Sequence, residues 1–459
     1  MKASGRPVLL AAGGTGGHVF PAEALAGELM RRGVPLALIT DHRGHKWQGA
    51  LAGLPVYPIH AGSPGAGGPL QRLRNVASLG IGTLQAARLL GRLAPAAVVG
   101  FGGYACVPPL LAARLRRLPT LIHEQNAVLG RANRLVVGRR TTIATAFPTV
   151  RYLASDDPRV RLVGNPVREA IRSLRDVAYM PPTADGALRM VVIGGSQGAA
   201  SFGIVIPEAV AALPEDFRRR LKLAQQCRPE DLERVRAFYA ARGIDAECQP
   251  FFSDFPARLA GAHLVVARAG ASTVAELTTS GRPAVLVPFP HATEDHQRAN
   301  ATAVDEVGAS ILLPHEQFTS DALRSHLEVL FGEPARLSRM AAAAYAAGRP
   351  DAARDLADLV VELIAGRPLK AHSDLPTEGE GGADPFYRRR PEDSQRAPIR
   401  ATALLSSRAQ RGIFQPASRS LAALGMTDGP YAKALAFGGS GATEEYQRTD
   451  IGAREGVAA

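Results

Sequence analysis

The sequence predicts an α/β fold with two parallel sheets, one after the other along the chain. Short apolar runs such as "PVLLAA", "VPLALIT" and "AAVVGFGGY" alternate with helical patterns in the first part of the chain. After "RLVGNPVREAIR" the alternation begins again with "LRMVVIGGSQGAAS" and "AHLVVARAGASTVAELTTSG". Strands that alternate with helices form parallel sheets with helices on both faces. Because each half opens with a strand, a glycine-rich turn and a helix, we expect two Rossmann-like domains that join near residues 164–166.

The same pattern suggests limits for the domains. We expect an N-terminal domain over residues 1–164 and a C-terminal domain over residues 165–366. Residues 335–365 have the pattern of one or two helices that close the fold. From about residue 367 the sequence has no period and is rich in Gly, Pro and charged residues, which is typical of disorder. We therefore interpret residues 367–459 as a disordered, low-complexity extension and assign it no function.

Composition limits the class of protein without choosing its ligand. The chain has 459 residues, 46% of them hydrophobic, and a formal net charge of +12, which favours anionic partners. Its three cysteines (Cys106, Cys227 and Cys248) are far apart and lack metal-ligand spacing, so a reducing compartment is expected. The first apolar run is too short for a signal peptide, and no run approaches 18 apolar residues. We expect a soluble or peripheral protein that is not exported.

Three segments combine a strand, a glycine-rich or small-residue turn and a helix: residues 13–18, 194–199 and 269–273. Such a turn presents unpaired N–H groups beside the positive end of a helix dipole and so suits an anion. In open parallel sheets, ligands bind outside the carboxyl ends of the strands, where all three turns are expected. The pattern predicts a phosphate-bearing ligand.

Each turn also admits another interpretation. Asp41 ends the strand after the first turn, as a ribose-binding carboxylate does in NAD-dependent enzymes, although the third glycine of that fingerprint is absent. The second turn, "GGSQG", matches the G-x-S-x-G pattern of hydrolases, and its possible triad partners follow later in the chain: Asp254, His263, Asp295 and His296. An oxidoreductase and a serine hydrolase therefore stay open at this point.

The third turn and two polar segments complete the candidate site. Thr273 and Glu276 have the T-x-x-E spacing of a helix capping box, but a carboxylate there could equally bind both hydroxyls of a ribose. Polar clusters follow predicted strands in "HEQNAVLG" and "HATEDHQRAN". The sequence contains no Asp-x-Asp and no clear metal-ligand spacing. We predict that no metal is bound and that amides, helix dipoles and Arg neutralise the phosphate.

Taken together and in order, seven motifs resemble one family: "GGTGGHVFPAEALA", "VVGFGGYACVPP", "HEQNAVLGRAN", "GNPVR", "GGSQGA", "RAGASTVAEL" and "PFPHATEDHQRANA". They are similar to those of the MurG family of peptidoglycan glycosyltransferases over about residues 6–365. The resemblance implies the GT-B fold, in which two Rossmann-like domains face a cleft. It implies transfer of GlcNAc from UDP-GlcNAc to the C4 hydroxyl of MurNAc in lipid I, with inversion to a β-1,4 linkage, and without a cofactor.

Position by position, the resemblance implies contacts with the donor for these residues: Thr15, Gly16, Gly17, Asn126, Arg168, Ser196, Phe252, Ala271, Ser272, Thr273, Val274, Ala275, Glu276, His296 and Gln297. Of these, Thr15, Gly16 and Gly17 would lie on the diphosphate and sugar side of the cleft. Asn126 would hydrogen-bond the GlcNAc. Phe252 falls where the family contacts the uracil through backbone atoms.

The resemblance gives the remaining donor contacts distinct roles. Arg168 and Ser196 would engage the nucleotide phosphates. The segment 271–276 would line the nucleotide, with Glu276 on the ribose hydroxyls. Gln297 would bind the transferred sugar, with His296 beside it.

Transfer also requires a base that removes the proton of the acceptor hydroxyl. His18 is our candidate, because an imidazolium is disfavoured at a helix N-terminus and a neutral imidazole accepts a proton. The alternative for His18 is that it donates to the acceptor pyrophosphate or caps the turn. Glu124 is the rival base.

The acceptor carries an undecaprenyl chain, so the resemblance implies a protein at the cytoplasmic face of the cell membrane, in peptidoglycan synthesis and cell division. Residues 69–93 combine apolar and Arg side chains, and residues 110–119 add further arginines: the named positions are Leu73, Val76, Leu79, Ile81, Leu84, Arg72, Arg74, Arg88, Arg92, Arg114, Arg116 and Arg117. This pattern suits docking on an anionic membrane surface, and equally a core helix with a solvated basic face. No nucleic-acid partner is expected. A GT-B transferase for another acceptor is the nearest alternative.

Overall fold

The first domain is built on a seven-stranded sheet. The structure is a computed structural model that describes residues 5–13, 16–41, 49–63, 68–195 and 199–367. The strands are all parallel, in the order β3-β2-β1-β4-β5-β6-β7. Their bounds are β1 (Val8–Ala11), β2 (Leu36–Asp41), β3 (Val56–Ile59), β4 (Ala97–Gly100), β5 (Thr120–Glu124), β6 (Thr141–Thr145) and β7 (Val160–Leu162).

Helices cover both faces of this sheet. They are α1 (Gly16–Arg31), α2 (Pro69–Leu93), α3 (Val107–Leu115) and α4 (Arg131–Val136). Successive side chains of a strand point to opposite faces. In β1, Leu9 and Ala11 therefore join the core beneath α2 and α3, whereas Val8 and Leu10 join the core beneath α1. A strand buried on both faces reads as a continuous apolar run, which is why "PVLLAA" predicts it.

The second domain repeats the arrangement with a six-stranded parallel sheet in the order β10-β9-β8-β11-β12-β13. Its strands are β8 (Leu188–Ile193), β9 (Leu221–Gln226), β10 (Ala246–Gln249), β11 (Leu264–Ala267), β12 (Ala284–Leu286) and β13 (Ser310–Leu312). Its helices are α5 (Glu169–Arg172), α6 (Phe202–Ala211), α7 (Glu215–Arg220), α8 (Leu232–Ala240), α9 (Phe255–Gly261), α10 (Ala271–Thr279), α11 (His296–Glu306), α12 (Ser320–Gly332) and α13 (Pro334–Ala347). The predicted fold class is confirmed.

The last described helix, α14 (Ala352–Ile364), packs against the first domain. Its buried side chains Leu356, Ala357 and Val360 recur at helical spacing and join the core that α1 covers. Asp358 accepts a hydrogen bond from Arg32 at the C-terminal end of α1 (2.6 Å). The predicted closing helices thus exist as two helices, and the second one returns to the sheet where the chain began. The domain limits stay a prediction, and the predicted extension from residue 367 lies almost wholly outside the described residues.

Two further properties of the described residues concern membranes and metals. No helix in the ranges given above is both long enough and apolar enough to cross a membrane. Within the same ranges, no group of three or more His, Cys, Asp or Glu side chains is placed to hold a metal ion.

Candidate functional site

The site lies where strands β1, β8 and β11 end and their turns begin. Helix α1 begins at Gly16 shortly after β1, and α10 begins at Ala271 shortly after β11. Side chains of the two domains meet here, because the guanidinium of Arg168 lies 5.6 Å from the ring centroid of Phe20 on α1. The predicted contacts Thr15 and Ser196 lie outside the described residues. Gly16 and Gly17 form the first turn of α1.

His18 lies in the first turn of α1, half-buried, with its Nδ1 3.2 Å from Oε1 of Gln125. Burial lowers the pKa of His18, against the opposing effects of the Glu124 carboxylate and the Gln125 hydrogen bond. The charge of His296, on the second domain, makes the smallest contribution and also lowers this pKa. His18 is therefore neutral at pH 7, as a general base must be.

Gln125 connects His18 to a buried histidine. Its Nε2 donates to the carbonyl of Phe101 (3.0 Å) and lies 3.1 Å from Nδ1 of His123. The other ring nitrogen of His123, Nε2, lies 2.9 Å from the carbonyl oxygen of Gly164. Burial lowers the pKa of His123 to about 4. Sequence analysis did not single out Gln125, although it lies inside the quoted "HEQN" motif.

Glu124, the rival base, is buried and surrounded by donors. Its Oε1 accepts hydrogen bonds from the backbone N–H of Asn126 (3.0 Å) and from the Asn126 amide (3.3 Å). Its Oε2 accepts from the backbone N–H of Gly130 (2.9 Å) and from the Asn133 amide (2.8 Å). This carboxylate holds the loop after β5 together, an arrangement that favours His18 over Glu124 as the base.

Arg168 and Glu276, predicted to bind phosphate and ribose, are paired with each other. Arg168 Nη2 donates to Glu276 Oε1 at 2.8 Å. Burial raises the pKa of Glu276, and the charge of Arg168 opposes that effect. One carboxylate oxygen of Glu276 positions the guanidinium of Arg168. The Arg168 side chain nevertheless stays 41% exposed and can contact a ligand. The structure thus brings together two residues that the sequence placed 108 positions apart.

The N-terminus of α10 is open. Its N-cap is Gly270, which has no side chain to cap the first N–H groups. Thr273 lies within the first turn and Glu276 bonds to Arg168, so the T-x-x-E spacing does not form a capping box. Ser272 Oγ is buried and has no hydrogen-bond partner in the part of the chain described here. An uncapped helix N-terminus beside an unpartnered hydroxyl suits a phosphate oxygen. Ala271, Val274 and Ala275 belong to the same helix.

Asn126, a sugar-binding candidate, is held by Asn300, which sequence analysis did not single out. Asn300 is fully buried, and its Nδ2 donates to Oδ1 of Asn126 (3.1 Å) and to the carbonyl of Ala269 (3.1 Å). Its Oδ1 accepts from the backbone N–H of Ala127 (2.8 Å), which orients Asn126. Gln297 Oε1 accepts from the backbone N–H of Phe289 (2.9 Å).

His296 begins α11, one residue before Gln297, and its Nδ1 lies 2.8 Å from the Thr293 carbonyl. Phe252 is buried beneath Arg258, whose guanidinium lies 4.2 Å from the centroid of its ring. The Phe252 side chain therefore belongs to the core, which leaves only its backbone for the predicted uracil contact.

Arg268 is a further candidate that sequence analysis did not single out. It follows β11 and is buried, and it donates to the carbonyls of Val287 (3.1 Å) and Pro288 (2.9 Å) and to Ser201 Oγ (3.0 Å). Burial lowers its pKa to about 10. No carboxylate among the described residues forms an ion pair with it. Its backbone N–H bonds to the carbonyl of Ile193, directly before the second glycine turn.

Two Rossmann-like domains whose strand ends and polar side chains meet at one site are the architecture of the GT-B fold. Two domain models of glycosyltransferase family 28 match the chain: the N-terminal domain at residues 8–145 and the C-terminal domain at residues 189–356. A solved structure of Acinetobacter baumannii MurG is similar with a TM-score of 0.64 and 31% identity, over 78% of this chain and 99% of that one. A solved calicheamicin glycosyltransferase, CalG4, shares the fold (TM-score 0.56, 19% identity, 80% of this chain and 99% of that one).

Curated relatives agree with this assignment. The UDP-N-acetylglucosamine–N-acetylmuramyl-(pentapeptide) pyrophosphoryl-undecaprenol N-acetylglucosamine transferase of Paramagnetospirillum magneticum is 55% identical over 78% of this chain and 96% of its own. The protein of the same name from Rhodospirillum centenum is 54% identical over 77% and 94%. The chain belongs to this family, the MurG glycosyltransferases, and the predicted resemblance is confirmed.

Proposed function

We propose that this chain transfers GlcNAc from UDP-GlcNAc to the C4 hydroxyl of MurNAc in lipid I and so makes lipid II for peptidoglycan synthesis. The observation that carries the proposal is the position of His18. Its imidazole has a lowered pKa and lies in the first turn of α1, the helix on which Phe20 contacts Arg168 of the second domain. The high identity to relatives that bear the name of this transferase supports the choice of donor and acceptor.

Departure of UDP requires stabilisation of the negative charge that develops on the diphosphate. The open N-terminus of α10 supplies N–H groups and the positive end of the helix dipole. Arg168 supplies a partly exposed cation, and Arg268 a buried one behind the turn that follows β8. Fixed donors and charges in a site screened from water stabilise such a charge strongly.

The acceptor hydroxyl loses its proton as it attacks the sugar. His18 takes that proton on Nε2, because its Nδ1 faces the Gln125 amide oxygen. Because burial lowers the pKa of His18 below its usual 6.5, the base is ready above that pH. We expect the transfer rate to stay level above about pH 6.5 and to fall at lower pH as His18 becomes protonated.

The lipid-linked acceptor is reached by docking on an anionic membrane surface, at the cytoplasmic face of the cell membrane. Four of the five predicted apolar residues of α2 are exposed on the helix: Leu73, Val76, Ile81 and Leu84. Leu115, at the end of the adjacent α3, is 77% exposed. Apolar side chains among arginines suit the boundary between lipid headgroups and acyl chains. Leu79 differs, because it packs against the core.

The test is GlcNAc transfer from UDP-GlcNAc to a lipid I analogue by the purified full chain, with UDP binding measured in parallel. We expect transfer by the wild-type protein and a fall of about 10²- to 10⁴-fold in kcat for His18→Ala, with UDP affinity within about twofold. His326→Ala, a half-buried histidine of α12 outside the site, is the matched control. Transfer by His18→Ala at the wild-type rate would refute the proposed base, and absence of transfer by the wild type would refute the function.

A further inference from the structure

We propose that Gln125 is a positioning residue that holds His18 in one tautomer, with the proton on Nδ1 and the lone pair on Nε2. The inference rests on the proposed function, in which His18 takes the acceptor proton. It is carried by a continuous series of hydrogen bonds from His18 through Gln125 and His123 to the backbone of Gly164.

The Gly164 carbonyl, at one end of this series of hydrogen bonds, can only be an acceptor. The carbonyl oxygen of Gly164 only accepts, so Nε2 of His123, 2.9 Å away, carries a proton. Burial keeps His123 neutral, since its pKa is lowered to about 4. A neutral imidazole has one N–H, so Nδ1 of His123 is an acceptor.

The orientation of the Gln125 amide follows from that acceptor. Its Nε2 faces two acceptors, the Phe101 carbonyl and Nδ1 of His123, and also lies 3.0 Å from the His123 carbonyl. A flipped amide would set its oxygen against these acceptors and leave them without donors inside the protein, which is costly. The amide oxygen of Gln125 is therefore the atom that faces His18.

His18 then has one favourable protonation pattern. An oxygen acceptor 3.2 Å from Nδ1 requires the proton on Nδ1, which leaves the lone pair of the neutral ring on Nε2. Two glycines leave room for the ring in this position. A Cβ on Gly102 would lie 3.1 Å from Cε1 of His18, and one on Gly103 would lie 3.4 Å from Cδ2. Both glycines have positive φ (+87° and +72°), so a side chain at either position would strain the backbone and crowd the imidazole.

Within the described ranges, two titratable groups act on the pKa of His18, in addition to its hydrogen bonds with Gln125 and with the backbone of Phe101. Glu124, next to Gln125 on the same strand end, raises the pKa of His18, and His296 from the second domain lowers it. The Gln125 hydrogen bond itself raises that pKa. Loss of the acceptor at position 125 should therefore lower the pKa of His18, and a negative charge at that position should raise it. The acidic limb of the plot of rate against pH should move in the same direction as the pKa in each case.

The direct test is ¹⁵N NMR of the full chain labelled at histidine, with the His18 signals assigned by their loss in His18→Gln. We expect Nδ1 to be protonated and Nε2 unprotonated at pH 8. A wild-type His18 protonated on Nε2 would overturn the proposal. This measurement needs no catalysis, so it separates failure of the tautomer assignment from failure of the proposed function.

The kinetic test uses Gln125→Met, which keeps the length of the side chain and removes the amide oxygen. We expect kcat to fall about 10- to 100-fold, less than in His18→Ala, with KM for UDP-GlcNAc within about twofold. The acidic limb of kcat against pH should move to lower pH in Gln125→Met and to higher pH in Gln125→Glu. Gln317→Met, at an exposed position outside the site, should match the wild type in each respect.

A purely structural role for Gln125 would lower the melting temperature and the amount of active protein without moving the acidic limb. If the acidic limb of kcat against pH stays in the wild-type position in both variants, the proposal is overturned. If either variant fails to fold, the NMR measurement on the wild-type protein still decides.

Discussion

His18 lies in a glycine-rich motif and Glu124 in a polar motif, each near the end of a strand. Only their contacts indicate which of the two can act as the base. Each oxygen of Glu124 accepts two hydrogen bonds from the loop of residues 126–133. A carboxylate saturated in this way is a poor base, because it has no free lone pair directed at a substrate. His18 differs, because its Nδ1 faces the Gln125 amide oxygen and its Nε2 is the nitrogen proposed to take the acceptor proton.

Glu124→Gln provides a test at the level of this single residue. The new amide group would direct N–H donors at groups that are themselves donors, so we expect a loss of about 3 kcal/mol or more in the free energy of unfolding. Thermal denaturation measures it, with the exposed Glu306→Gln on α11 as the control. A variant with wild-type stability and no transfer activity would instead support Glu124 as the base.

A second prediction concerns the buried side chain of Arg268. Since no described carboxylate pairs with this buried cation, an anionic ligand is its natural counter-charge. We expect Arg268→Met to lower the affinity for UDP about tenfold or more by isothermal titration calorimetry. Uridine, which lacks the diphosphate, is the matched control ligand and should bind both proteins within about twofold. Equal losses for UDP and uridine would show that Arg268 shapes the nucleoside site and not the phosphate site.

At the scale of the element, α2 differs from an ordinary surface helix. Its C-terminal half packs into the first domain through Ala86, Leu89 and Leu90, whereas Leu73 (66% exposed) and Leu84 (62% exposed) do not enter the core. An apolar residue left in water contributes nothing to folding but partitions into a lipid interface. The exposed residues of α2 are therefore the ones on which the proposed membrane contact depends.

Leu73→Glu with Leu84→Glu tests that surface. We expect co-sedimentation with vesicles containing anionic phospholipid to fall at least tenfold, because two apolar contacts are lost and two negative charges meet an anionic surface. Transfer to a water-soluble lipid I analogue should stay at the wild-type rate. Val329→Glu, at an exposed apolar position of α12, is the control. Unchanged sedimentation of the double variant would place the membrane contact elsewhere.

The open N-terminus of α10 shows how the starting residue of a helix affects the residues near it. The sequence pattern T-x-x-E predicts a cap as readily as a ribose contact. The chain enters the helix at Gly270, one turn earlier than a cap at Thr273 requires. Where the helix begins decides which residues are free to bind ligand.

At the scale of the whole molecule, contacts between the domains hold the two halves of the site in register. Asn300 on α11 bonds to Asn126 and Ala127 of the first domain and to Ala269 of the second. Glu294, which adopts a left-handed backbone conformation (φ +56°), pairs with Arg134 and with Arg131 (3.4 Å). A non-glycine residue persists in that conformation only when its surroundings compensate for the strain.

Asn300→Ala should weaken this junction. The change leaves the Ala127 N–H and the Ala269 carbonyl without partners in a buried place, so we expect a loss of about 2–4 kcal/mol. A lower melting temperature in differential scanning calorimetry is the readout. Thr302→Ala, half-buried on the same helix, is the control. An unchanged melting temperature would mean that these hydrogen bonds do not hold the domains together.

Much of this architecture follows from local sequence. Alternating apolar runs and helical patterns determine two parallel sheets, because a strand buried on both faces has to be continuously apolar. Glycine turns after β1 and β8 predict an anion site for the same local reason: backbone N–H groups and a helix dipole need no distant partner. His18 and Glu276 lie in local motifs that follow β1 and β11, whereas the role of Arg168 was implied by the resemblance to the family.

Other features depend on residues far apart in the chain. Helix α14 reads as an amphipathic helix, but only packing shows that its apolar stripe covers the first sheet. Gln125, Asn300 and Arg268 are ordinary polar residues in the sequence. Their roles depend in part on partners far away in the sequence, such as Phe101, Asn126 and Ser201. The sequence by itself determined the two sheets, the turns and the kind of ligand. Only the tertiary structure decided which polar groups are already satisfied and which remain free for chemistry, because hydrogen-bond saturation depends on neighbours that the chain brings together by folding.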